Sequence, residues 1–174
     1  PEAMMSFIAT LGWNDGTEQE VFTEAELIEK FSLDRIQRSG ARFDEKRLLW
    51  MNGHFIRELS IDELAVRVES FWSESAKKAT ESYRKQVLAL AQDRLKTLKD
   101  LPTLTSYFFE EPTPDSTLIT SNKQLKKLSP EEISNLLKIT KDTFENLDDW
   151  SSGSIQASLN DLLERTGQKP GVLF

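Results

Sequence analysis

Residues 43–58 read Phe43-Asp-Glu-Lys-Arg47-Leu-Leu-Trp50-Met-Asn-Gly53-His-Phe-Ile-Arg57-Glu58. Part of this stretch is apolar and can fill a core: Leu48, Leu49, Met51, Phe55 and Ile56. The rest offers charge, a stacking ring and hydrogen-bonding groups: Arg47, Trp50, Asn52, His54 and Arg57. A helix that only supports a core does not need so many donors. Because glycine lowers helix propensity, the Asn52-Gly53 pair predicts an interruption and a turn toward Ser60.

The length and composition indicate a globular protein of one large or two small domains. The chain has 174 residues, 38% of them apolar and 29% charged, which is ordinary for such proteins. It has no cysteine, which excludes disulfides and thiolate metal sites and favours the cytoplasm. No apolar run approaches the roughly 20 residues that a membrane span needs. Since the chain begins at Pro1 and ends in the apolar residues 171–174, we expect a part of a longer protein.

The charge distribution indicates a basic surface for binding a polyanion on an otherwise acidic protein. The net charge of −7 argues against nucleic acid for the chain as a whole. Two acidic residues, Glu81 and Asp93, lie within a stretch that carries seven basic ones: Lys77, Lys78, Arg84, Lys85, Arg94, Lys96 and Lys99. This local excess predicts a basic band.

The spacing of apolar residues predicts a mainly α-helical protein. Capping boxes begin helices at Thr23, Ser60 and Ser129, and Gly167 ends the last helix. The prolines of Glu110–Thr117 indicate a hinge. The pattern allows at most two short strands, near residues 21–22 and 41–43.

One long amphipathic helix is expected from Lys77 to about Asp93. Continued as a straight helix, it would place Arg94 among the apolar side chains. Either the helix breaks near Gln92-Asp93, or Arg94 is turned inward.

The sequence lacks the motifs of the common catalytic sites. It has no glycine-rich phosphate loop, no nucleophile elbow and no helix with two histidines at metal spacing. We therefore predict a binding module with no catalytic residue, no metal ligand and no cofactor-binding residue.

Several motifs together resemble one family. Phe43-Asp44, Leu48, Trp50–Gly53 and Ile56–Glu58 resemble the segment that follows the catalytic domain of bacterial glutamyl-tRNA synthetases. Further matches lie at Pro1–Met4, Leu11–Trp13, Thr97–Pro102, Tyr107–Phe109, Trp150, Ile155, Leu159 and Gly167–Gly171. The resemblance implies a small βααβα stem-contact unit at residues 1–59, followed by α-helical anticodon-binding subdomains built as a bundle or cage. The first would span residues 60–117, and the second would begin at residues 118–174.

The resemblance also implies a function. The full-length enzyme would be a monomer that attaches glutamate to tRNA(Glu) with ATP and Mg²⁺. Its catalytic domain would lie upstream, so this part should be inactive alone. On the family's pattern, Arg47 matches a basic residue that approaches the inner side of the tRNA, and Trp50 matches the tryptophan beside it. Arg94 matches an arginine that contacts the third anticodon base.

The predicted tRNA-binding set adds residues from the α-helical stretch and the basic band to these three: Arg47, Trp50, Arg57, Arg94, Lys96 and Lys99. Simpler interpretations stay open. The charges can be a solvated surface, Trp50 a core ring, Arg94 a salt-bridge partner of Asp93 or of another acidic residue, and His54 a structural hydrogen-bonding group. The alternative function is an acidic α-helical protein-interaction module with no nucleic-acid role.

Overall fold

A computed structural model describes residues 1–37, 40 and 42–173. The prediction of a mainly α-helical fold is confirmed. The helices are α1 (Glu2–Thr10), α2 (Glu24–Lys30), α3 (Glu45–Arg57), α4 (Ile61–Val68), α5 (Glu74–Lys77), α6 (Glu81–Ala91), α7 (Leu101–Thr105), α8 (Ser116–Ser121), α9 (Pro130–Glu145), α10 (Ser152–Thr166) and α11 (Pro170–Leu173). Short 3₁₀ turns lie at Leu33–Arg35, Glu69–Phe71, Gln92–Arg94, Leu98–Asp100, Ser106–Phe108 and Leu125–Lys127.

The helix ends follow from local side-chain chemistry. Capping boxes form at Thr23, Ser60 and Ser129, as predicted. In each box the hydroxyl accepts from an amide three residues later, and the glutamate there accepts from the cap's own amide. The Asp44 carboxylate caps α3, and Gly167 ends α10 with a positive φ of 65° that suits glycine.

The strand expected near 21–22 does not form. The Phe22 amide donates instead to Ser6 Oγ of α1 at 3.0 Å, so its hydrogen bond is used in packing against a helix. Within the described ranges, the β-contact is an isolated antiparallel bridge between Trp13 and Ile36. Ala41, in the second expected strand, lies outside the described residues.

Two helix predictions were wrong. The Asn52-Gly53 pair does not interrupt α3, which runs without a break from Glu45 to Arg57. The long helix expected from Lys77 to Asp93 is divided, because α5 ends at Lys77 and the Thr80 hydroxyl caps α6. The alternative of a break near Gln92 is confirmed, since a 3₁₀ turn replaces the α-helix there.

The chain forms two compact units, residues 1–112 and 113–174. The division falls inside the proline-containing stretch Glu110–Thr117, while the domain boundary expected near Ser60 stays a prediction. In the first unit α3 belongs to two buried clusters. Met51 packs with residues of α1, and Ile56 joins a larger cluster built from α4, α6 and α7. This shared helix fixes the beginning of the chain to the helices that follow.

The second unit has few fully buried side chains. Leu136 of α9 and Leu162 of α10 are buried where these two helices pack. The rings of Phe144 and Trp150 stack at 5.8 Å between centroids. Among the described helices, none is long and apolar enough to cross a bilayer.

Candidate nucleic-acid interface

One face of α3 carries charged and aromatic side chains toward solvent. Arg47, Trp50, His54 and Arg57 follow helical spacing and therefore share this face. The Trp50 ring is 48% exposed and stacks on His54 with 6.3 Å between centroids. Trp50 is thus not a core ring. His54 is held by ring contacts, including an edge contact with Phe55 at 5.9 Å.

The opposite side of α3 is tied to residues 92–96. Asn52 Nδ2 donates to the backbone oxygen of Lys96 at 2.6 Å. From the other side, Gln92 Nε2 donates to the backbone oxygens of Ile56 at 3.0 Å and Leu59 at 2.8 Å. The Ile56 carbonyl lies in the last turn of α3, where it also accepts from the Leu59 amide at 3.3 Å, and the Leu59 carbonyl lies just beyond the helix. Residues that the sequence analysis assigned to separate domains therefore lie on one scaffold.

Gly53 allows this close approach. A β-carbon at residue 53 would lie 3.2 Å from the backbone oxygen of Leu95 and 3.2 Å from Arg57 Nη1. Both contacts are tighter than a side chain ordinarily accepts, and the first involves backbone, which cannot swing aside. The glycine is explained by packing of α3 on the 95–96 backbone rather than by a break in the helix.

The segment after Gln92 alternates between buried and exposed side chains. Leu95 is fully buried, while Arg94 and Lys96 on either side of it are exposed. The Asp100 carboxylate accepts the Lys96 amide at 3.1 Å and the Thr97 amide at 2.8 Å. Lys96 is therefore held at its amide by Asp100 and at its carbonyl by Asn52, which leaves its ammonium group pointing away from the core.

The basic band expected from Lys77 to Lys99 separates into two kinds of residue. Three of the four basic residues in its first half pair with acidic side chains, and Lys78 forms no ion pair with the described residues. Lys77 pairs with Glu74 at 2.7 Å, and Arg84 pairs with Glu69 at 3.1 Å. Lys85 Nζ lies 2.9 Å from both Asp62 and Glu81, and hydrogen bonds to these carboxylates raise the pKa of Lys85.

The second half of the band keeps its charges available. Five of the predicted tRNA contacts are cationic: Arg47 and Arg57 of α3, and Arg94, Lys96 and Lys99 of the band. Their side chains form no ion pair or hydrogen bond with the described residues. The alternative of a salt bridge between Arg94 and Asp93 is thus wrong. A cation without an internal partner keeps its full attraction for a phosphate.

The structure brings only some of the predicted residues together. Arg57 Nη1 and Lys96 Cα both lie within 4 Å of the place that a β-carbon on Gly53 would occupy, and Arg94 lies two residues before Lys96. Arg47 lies ten residues before Arg57 on the same helix, about 15 Å away at the helical rise, and lines a polar cleft with Trp13 and Gln37. Lys99 is exposed in the Leu98–Asp100 turn.

The sequence alone did not reveal the residues that hold this arrangement. Asn52 and Gly53 stood out in the sequence but were interpreted as a break, and Gln92 was not singled out as an anchor. A conspicuous Asn-Gly pair inside a helical pattern was the signal for a close backbone approach. It did not reveal which backbone would approach.

A comparison with family models matches residues 63–174 to the family described as "Anticodon binding domain". Among curated relatives, the glutamate–tRNA ligase of Clostridium novyi is 33% identical over 175 residues, covering 99% of this chain and 36% of the relative. The glutamate–tRNA ligase of Herpetosiphon aurantiacus is 34% identical over 181 residues, covering 100% of this chain and 36% of the relative. This chain thus spans about a third of the length of the curated relatives it matches.

Solved structures show the same fold. A glutamate tRNA ligase from Elizabethkingia meningosepticum matches 99% of this chain and 33% of its own, with a TM-score of 0.73 and 23% identity. A glutamate-tRNA synthetase from Elizabethkingia anophelis matches with a TM-score of 0.72 and 22% identity. At these identities the likeness establishes the helical architecture alone.

Proposed function

The chain belongs to the anticodon-binding domain family, and from that premise we propose that it is the tRNA-binding part of a glutamate–tRNA ligase. The curated relatives that it matches over its whole length carry that name. The observation that supports an RNA role most directly is the group of cations without internal partners on one scaffold. Arg57, Arg94 and Lys96 have no acidic partner in the described part of the chain, whereas the basic residues of α6 do.

The proposed contacts divide into two kinds. Arg47, Arg57, Lys96 and Lys99 bind phosphates, which positions the RNA without reading its sequence. Arg94 reads the third anticodon base, because a bidentate guanidinium separates bases by about 1–3 kcal/mol. The exposed Trp50 ring offers a surface on which an unpaired base or a ribose can rest.

The activity of the whole enzyme is also part of the proposal. It attaches glutamate to tRNA(Glu) with ATP and Mg²⁺ as a monomer in the cytoplasm, through a catalytic domain of the same chain. The described residues bring no three acidic or histidine side chains together at metal-binding spacing. We assign ATP and Mg²⁺ to the catalytic domain and derive no chemical step from this chain.

A titration with tRNA at two salt concentrations tests the proposal. The affinity for tRNA(Glu) should fall steeply between about 50 and 200 mM salt, because bound phosphates release counterions. Arg47→Ala should weaken binding. Arg94→Gln should narrow the gap between tRNA(Glu) and tRNA(Gln). Binding that is absent or independent of salt would contradict the proposal and favour an acidic protein-interaction module.

A further inference from the structure

We propose that Asn52 is a positioning residue for RNA binding, an inference that rests on the proposed function. Asn52 does not need to touch the RNA. Its amide holds the Lys96 backbone against α3 and thereby sets where the side chains of Arg94 and Lys96 project relative to Arg57. Gln92 performs the same task at the other end of the segment.

The backbone of Lys96 is held on both sides by side-chain hydrogen bonds. The Lys96 carbonyl oxygen accepts from Asn52 at 2.6 Å, and the Lys96 amide donates to Asp100 at 3.1 Å. Both peptide groups that flank this residue are therefore fixed. The direction in which a side chain leaves the backbone is set by those two groups, so the position of the Lys96 ammonium group depends on the Asn52 amide.

The segment between the two anchors is short. Gln92 is bonded to the Ile56 and Leu59 carbonyls, and four residues later Lys96 is bonded to Asn52. Between these anchors the buried Leu95 side chain enters the core cluster. With both ends tied to α3, Arg94 has little backbone freedom left to lose when RNA binds. Such preorganisation increases affinity, because less ordering is required on association.

The Asn52 bond positions the segment rather than stabilising the fold. The Asn52 bond lies at the protein surface, whereas Ile56 and Leu95 are buried in one apolar cluster to which Asn52 does not belong. Gly53 has no side chain, so α3 and the 95–96 backbone are in direct contact. Removing the amide should therefore leave the fold intact and loosen the segment that carries the cations.

The test compares Asn52→Ala with Asn146→Ala in the full 174-residue chain. Asn146 is a matched control, since its Nδ2 donates to the Asp142 carbonyl at 2.7 Å in the second unit. We expect Asn52→Ala to weaken tRNA(Glu) binding about three- to tenfold, the size of one hydrogen bond's net effect. It should also reduce the slope of log affinity against log salt by about 0.7–0.9, the loss of one phosphate contact. Asn146→Ala should change neither quantity.

A double substitution completes the test. Lys96→Ala should reproduce the smaller salt slope, and Asn52→Ala should have little further effect in that background. An unchanged salt slope in Asn52→Ala, or full additivity with Lys96→Ala, would overturn the positioning role while leaving the proposed function in place. If circular dichroism shows that Asn52→Ala does not fold, Gln92→Ala is measured against the same criteria. Salt-independent binding by the unsubstituted chain would instead contradict the proposed function itself, and this inference with it.

Discussion

The side-chain amide of Asn52 donates to the backbone oxygen of Lys96 at 2.6 Å, across 44 positions in the sequence. This bond joins α3 to the segment that carries Arg94 and Lys96. Next to Asn52, Gly53 lacks a β-carbon, and the Leu95 carbonyl oxygen lies only 3.2 Å from the place that such a β-carbon would occupy. The proposed RNA contacts of the first unit therefore depend on how closely two backbones pack.

The first prediction concerns this close packing. Gly53→Ala gains helix propensity, worth about 0.5–1 kcal/mol in an open site, but its β-carbon would meet the Leu95 carbonyl oxygen at 3.2 Å. We expect the contact to cancel the gain or reverse it. Gly153→Ala in α10 is the control, because nothing lies within 4 Å of its added β-carbon. Denaturant unfolding measures both, and an equal stabilisation by the two substitutions would show that the 53–95 contact is not tight.

The second prediction concerns the buried anchor of the basic segment. Leu95 is fully buried in the cluster that includes Ile56, so Leu95→Ala should lower the free energy of unfolding by about 2–5 kcal/mol. Leu90→Ala is the matched control, since Leu90 is 67% exposed and should change stability by less than about 1 kcal/mol. The two variants are compared by chemical denaturation. Similar losses at both positions would contradict the described burial.

The third prediction distinguishes neutralised cations from available ones. Lys85 is held by Asp62 and Glu81 at 2.9 Å each, so Lys85→Ala should leave tRNA affinity nearly unchanged. Lys96→Ala should reduce both the affinity and the salt slope, because Lys96 has no internal acidic partner in the described chain. Titrations at several salt concentrations measure this contrast. A larger loss from Lys85→Ala than from Lys96→Ala would place the RNA on α6 instead.

The fourth prediction concerns acid stability of the first unit. The Thr23 amide, with the side chains of Gln19 and Thr23, lowers the pKa of Glu26 from its usual 4.5 to about 2. A carboxyl with a lowered pKa stabilises the fold above its unfolded-state pKa and loses that contribution as the pH falls through its folded value. The unfolding temperature should therefore decrease between about pH 4.5 and pH 2.

Substitution of this glutamate checks the assignment. Glu26→Gln should reduce the decrease in unfolding temperature across the same pH window without abolishing it, because the pKa values of Glu2 and Asp15 are also lowered to about 2. Glu29→Gln, on the exposed side of α2, serves as the control and should keep the pH dependence of the unsubstituted chain. A decrease that persists unchanged in Glu26→Gln would assign the acid sensitivity to other carboxyl groups.

Local chemistry decided the features that the sequence predicted correctly. The capping boxes at Thr23, Ser60 and Ser129 each need only residues three positions apart, and all three form. Gly167 ends α10 because the left-handed conformation there suits glycine. The helical class and the family followed from apolar spacing and from motifs such as residues 50–53, which are complete within short stretches of chain.

Tertiary structure alone decided which of these residues act together. The sequence does not show that Gly53 faces the Leu95 backbone, so glycine's low helix propensity led to the wrong expectation of a break. Nor does it show that Asp62 and Glu69 of distant segments neutralise Lys85 and Arg84. A charge or a glycine has its effect through what lies within a few ångströms of it, and packing between distant segments determines those neighbours. The sequence by itself therefore determined the helical class, the capped helix ends and the family, whereas the fold determined which cations remain available for RNA.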